Sequence, residues 1–88
     1  MQIQIEQKTD DQLIAIGVFS WPVWSKEVST FEWSYDDQER CYLLDGEVEV
    51  EAYGEKYHFG KGDFVTFPVG MHCVWHVLKP VRKHYQMG

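Results

Sequence analysis

A carboxyl, a phenol and two thiols stand out among the residues able to do chemistry: Tyr35, Glu39, Cys41 and Cys73. Glutamates are rarely buried without a reason, so an inward Glu39 carries information. Beneath aromatic side chains it is partly desolvated, which raises a carboxyl pKa. With Tyr35 and Cys73 beside it, it forms an acid/base cluster and accepts a hydrogen bond from one of them. Glu39, Cys73 and Tyr35 are therefore the candidate catalytic residues. Trp33, Cys41, Phe67 and Trp75 are the candidate ligand-binding surround. The alternative chemistry is a metal held by Glu39, Cys73 and Cys41, a set zinc tolerates. The histidines do not extend that set. His72 and His76 are four apart, which on a strand separates them by about 13 Å, too far to share an ion. They read as solvent-facing or partly buried side chains.

Those groups need a scaffold, and the composition supplies one. The 88 residues suit a single domain spanning 1–88, and 44% of them are hydrophobic and 16% aromatic. The net charge of −6 disfavours nucleic acid, which selects a basic face, and anionic lipid likewise. No apolar run approaches the roughly 18 residues of a membrane span. The opening "MQIQIE" has no apolar segment of the kind a signal peptide carries. Two cysteines are too few for a disulfide framework, and a Cys41–Cys73 bond is not expected in a reducing cytoplasm, the compartment these features suggest.

"MQIQIE" alternates and predicts a strand. Thr9 and Gln12 have capping-box spacing. Leu13, Ile14 and Ile16 give a short apolar face, and Gly17 a stop, so one or two helical turns follow. From Trp21 onward the period is two. Phe31, Trp33 and Tyr35 alternate with Glu32 and Ser34. Asp45-Gly46, Tyr53-Gly54 and Gly60 to Asp63 are turn signals. Val48 and Val50 alternate with glutamates between them, and Phe64 to Phe67 and Met71 to Leu78 are further strands. Pro80 ends the last of these, and "VRKHY" adds a final one. Seven or more short strands predict an all-β domain, closed or sandwiched. Parity places Glu39, Cys41 and Leu43 on one face, and Cys73, Trp75 and Val77 on one face with His72, Val74 and His76 opposite. The run Arg82-Lys83-His84 reads as a solvated, charged strand edge, or as a contact for an anionic ligand.

The stretch "GDFVTFPVGMHC" spaces Gly62, Pro68, Gly70 and Cys73 as Gly, five residues, Pro, one, Gly, two, Cys. This resembles the second motif of the cupin superfamily, G(x)5PxG(x)2H, with Cys73 at the histidine position. Glu39 and Gly46 resemble the end of the first motif, whose paired histidines fall on Trp33 and Tyr35. "WPVWSKEVSTFEWSYDDQERCYLLDGEVEV" and "KPVRKHY" narrow the likeness to short single-domain cupins of the ureidoglycine-aminohydrolase type, largely of unknown function. It runs from about Trp21 to Tyr85. The resemblance implies a small antiparallel β-barrel, a double-stranded β-helix of jelly-roll kind, with a short N-terminal helical turn. True ureidoglycine aminohydrolases are two-cupin metal enzymes, and the likeness does not carry their activity to a chain without the histidines. The expected function is a small-molecule-binding cupin with an inward polar pocket, possible as a metal-independent enzyme and with no required cofactor. The alternatives are a metal-dependent cupin enzyme and a non-catalytic dimeric interaction module. A homodimer is the expected assembly, on the short chain and its aromatic surplus.

Overall fold

The computed structural model describes residues 1–88. Its elements are β1 (Gln4–Glu6), α1 (Asp10–Ile16), a 3₁₀ turn (Val18–Ser20), β2 (Val23–Lys26), β3 (Ser29–Ser34), β4 (Glu39–Ala52), β5 (Glu55–Gly60), β6 (Phe64–Phe67) and β7 (His72–Met87). The long partners β4 and β7 run antiparallel over almost their whole length and organise the rest. The first half of β4 pairs β6 on its other side, and the last part of β7 pairs β2. The second half of β4 pairs β5, and the first half of β7 pairs β3. β1 extends the sheet beyond β6. One wall therefore reads β1-β6-β4-β7-β2 and the other β5-β4-β7-β3. β4 and β7 pass from one wall into the other. This is the expected all-β fold in its sandwiched form.

The passage between walls is made by a bulge. The β4–β7 register shifts between Leu43 and Val48, opposite Lys79 to Arg82. Gly46 sits there at φ 107°, a region open to glycine, and a Cβ would lie 2.7 Å from the Pro80 carbonyl oxygen. Asp45-Gly46 is thus a bulge inside β4 and not the hairpin turn its composition predicts. Pro80 does not end a strand either. It lies within β7 at the irregular register, where its missing N–H breaks no ladder bond. Tyr53-Gly54 does turn the chain, joining β4 to β5 with both φ angles positive, as a type I′ hairpin requires.

Side chains from both walls meet in one core that includes Cys41, Leu43, Val65 and Phe67 from the first, and Val48, Val50, Phe59, Cys73, Trp75 and Val77 from the second. The parity expectations for β4 and β7 hold. The helix carries its predicted capping box between Thr9 and Gln12, and Gly17 closes it in the left-handed region. It buries Leu13 with Val18, Trp21 and Phe64 in a second small core, while Ile14 is exposed, contrary to the predicted apolar face. No helix is long and apolar enough to cross a membrane.

Candidate functional site

Tyr35 follows β3 and is clamped by its backbone. Its N–H donates to the Met71 carbonyl at 2.9 Å, and its carbonyl accepts from Gly70 N–H at 2.7 Å. Gly70 is at φ 83°, the left-handed turn geometry a glycine supplies. The clamp lays the Tyr35 ring on Phe67, with centroids 4.7 Å apart and planes 13° from parallel. Trp75 Nε1–H donates to Tyr35 Oη at 3.2 Å. Trp75 is the hub of the aromatic set, with Phe31 and Phe67 stacked on it and Trp24 and Phe59 edge-on.

Glu39 opens β4, opposite Phe67 on β6 and Met87 on β7. Its partner is neither of the groups expected from the sequence. Lys83 Nζ donates to Glu39 Oε2 at 2.7 Å, and each side chain is only 6% exposed. Lys83 lies on β7 opposite Leu43 of β4 and Trp24 of β2. Its ammonium is 4.6 Å from the Trp75 ring centroid, 4.9 Å from Trp24 and 5.9 Å from Phe67. Ring faces attract a cation through their quadrupole, so three indole and phenyl rings help hold this charge out of water. The two charged groups form part of a cavity of about 260 Å³. Trp24, Phe31, Tyr35 and Trp75 wall it, with Trp33, Tyr85 and Met87 completing the lining. Trp33 is 51% exposed, half in water.

Of the residues predicted from sequence, Glu39, Tyr35, Trp33 and Trp75 come together at this cavity. Cys73, Cys41 and Phe67 do not line it; they are buried in the core. Both thiols are free. Burial pushes the Cys73 thiol up to about 11 and the Cys41 thiol up to about 12, the latter despite the opposing pull of Lys83. Neither is a thiolate near neutrality, so neither is a nucleophile there. Burial, reinforced by the Glu39 charge, also raises the Tyr35 phenol far above its ordinary value. The carboxyl–phenol–thiol cluster is thereby replaced by a carboxylate–ammonium pair under a neutral phenol.

Lys83 is the residue that sequence reasoning missed, along with Trp24, Phe31, Tyr85 and Met87. The run Arg82-Lys83-His84 is not uniformly solvated. Arg82 pairs with Asp45 at the surface, His84 Nδ1 meets the Trp21 carbonyl, and Lys83 between them turns inward. Carrying the parity of Cys73, Trp75 and Val77 through Pro80 puts Val81 and Lys83 on the inner face. That was the available signal.

A metal does not fit the groups present. No three His, Cys, Asp or Glu side chains gather closely enough to hold one. Indole is no ligand, so Trp33 offers nothing at its motif position, and the Glu39 carboxylate is already bonded to an ammonium.

The EutQ-like cupin domain family matches residues 14–85 of the chain. A DUF861 family protein from Thermotoga maritima is 51% identical, with a TM-score of 0.97, over 99% of this chain and 100% of that one. The Clostridium difficile EutQ protein is 24% identical with a TM-score of 0.67, over 72% of this chain and half of its own length, and shares the fold. A putative ethanolamine utilization protein Q from Salmonella typhimurium is 19% identical with a TM-score of 0.63, over 97% of this chain and 68% of that one. No protein of curated function matches the chain. The chain belongs to the EutQ-like cupin domain family.

Proposed function

We propose that this cupin binds a small organic molecule in the aromatic cavity, against the Lys83–Glu39 pair. One observation carries the reading: an ammonium and a carboxylate, 2.7 Å apart and almost wholly buried, line an open cavity. As structure, such a pair is a poor choice. Taking both charges out of water costs several kcal/mol per ion, and apolar residues of similar volume commonly serve stability as well or better. A pair with this cost, facing a cavity, reads as binding machinery. At about 260 Å³ the cavity lies just below the usual range for ligand sites, so the ligand is small.

The pair also supplies the elements of metal-independent catalysis. The ammonium donates to an acceptor oxygen and stabilises charge developing there, and the carboxylate takes up a proton. The resemblance to ureidoglycine-aminohydrolase-type cupins belongs to this reading as a likeness of sequence. Two buried, unpaired thiols suit a reducing cytoplasm. A homodimer belongs to it as well, supported by the exposed indole of Trp33 and the exposed Met87 at the cavity. Sedimentation equilibrium showing a monomer at working concentration would remove that part.

The test is a fragment screen by protein-observed NMR. Ligands should shift the indole signals of Trp24 and Trp75 in the wild type, and Glu39→Gln should change which of them do so. Hits that perturb only distant signals, or that ignore the Glu39 substitution, would refute the reading.

A further inference from the structure

The hydrogen-bonding capacity left over at the cavity specifies a chemical group. An ammonium has three N–H donors, and Lys83 uses one on Glu39 Oε2. It makes no other hydrogen bond to the protein, and the ring faces beside it are weak acceptors compared with an oxygen. The protein gives Glu39 Oε1 no donor. Yet the one buried side-chain polar atom without a partner is Arg40 Nε, so Oε1 is open to the cavity. An unspent donor and an unspent acceptor thus stand side by side, on a pair whose charges cancel. The walls around them are aromatic side chains, which suit flat molecules.

We propose that the ligand is a small flat ring compound bearing an uncharged group with an acceptor and a donor side by side, a primary carboxamide or a ring lactam. This rests on the cavity being a binding site. The carbonyl oxygen accepts from Lys83, and the amide N–H donates to Glu39 Oε1. A carboxylate of the same shape gains Lys83 but meets Glu39, and loses its hydration in doing so. An alkylammonium has the reverse problem with Lys83. Buried net charge is penalised in both, so the neutral amide is favoured.

The experiment compares benzamide, benzoate and benzylamine by isothermal titration calorimetry on the wild type, Glu39→Gln and Lys83→Met, each checked for folding by circular dichroism. Wild type should bind benzamide at least about tenfold more tightly than either charged analogue, a modest ratio for a site with paired polar groups. Glu39→Gln keeps the shape and leaves the ammonium uncompensated, so it should fold and invert the order in favour of benzoate. A folded Lys83→Met should lose benzamide. Preference of the wild type for benzoate or benzylamine overturns the amide class while leaving a binding cavity. Binding of none at millimolar concentration overturns both the class and the cavity as a site. Glu39→Gln with the wild-type order would show that the carboxylate does not select the ligand, and would also overturn the class.

Discussion

Three carboxylates in this chain are paired with a histidine from another strand and a fourth, Glu39, with a lysine, and the lysine pair differs from the rest. On the outer face, His58 meets Glu47 at 3.2 Å, His72 meets Glu32 at 3.6 Å and His76 meets Glu51 at 3.0 Å. On the inner face Lys83 meets Glu39 at 2.7 Å. The inner pair is the shortest, and it is the one withdrawn from solvent. Water already satisfies the outer groups, so each such pair contributes about 0–1 kcal/mol and is screened by salt. The inner groups have given up that water and depend on each other and on the rings around them. Equivalent chemistry on two sides of one sheet thus has two meanings: tolerable surface decoration outside, and a costly device inside.

The largest expected effect comes from breaking the inner pair on one side only. Lys83→Met leaves a buried, uncompensated Glu39 and should lose about 3–5 kcal/mol in urea denaturation. A loss under about 1 kcal/mol would mean that water reaches Glu39 freely and that the contrast between faces is overstated. A second difference concerns alkali. Cys73 and Cys41 hold their protons to about 11 and about 12 in the folded protein, against an ordinary 9.0. Their folded values are raised, so the stability they contribute is present below pH about 9 and declines as pH rises from there. The decline is up to about 1.4 kcal/mol per pH unit for each thiol. Urea midpoints between pH 8 and 11 should fall accordingly, and less steeply in Cys73→Ala. Next is Tyr35→Phe, which removes the acceptor for buried Trp75 Nε1 and should cost about 1–3 kcal/mol, with the Trp fluorescence altered. The smallest effect belongs outside: His76→Ala should change stability by no more than about 1 kcal/mol, and by less still in 0.5 M salt. An outer substitution as damaging as Lys83→Met would erase the distinction.

The inner face was partly legible in the sequence. Alternation alone put Glu39 with Cys41 and Leu43, and Cys73 with Trp75 and Val77, because a strand has a period of two and one face is buried. The capping box and Gly17 were equally local and equally readable. Lys83 was hidden by a single long-range feature. The bulge that sets Gly46 against Pro80 bends the β4–β7 ribbon without ending it. Locally, Asp45-Gly46 reads as a hairpin and Pro80 as a stop, which cuts Lys83 off from the parity of Trp75. Its flanking charges, Arg82 and His84, then make it look solvated. The cysteines misled for the opposite reason. Parity placed them inside correctly, but it gives no depth, and they lie in the core behind the cavity that Tyr35, Glu39 and Lys83 open onto.

The central claim is that the inner pair serves a ligand and not the fold. The measurement that meets it most directly is the urea-unfolding free energy of Glu39→Leu/Lys83→Met beside the wild type. Replacing both charges by apolar groups of similar volume should leave stability within about 1 kcal/mol of the wild type or raise it, recovering what Lys83→Met alone loses. A double variant as unstable as that single variant would contradict the account and make the pair a structural element of the fold.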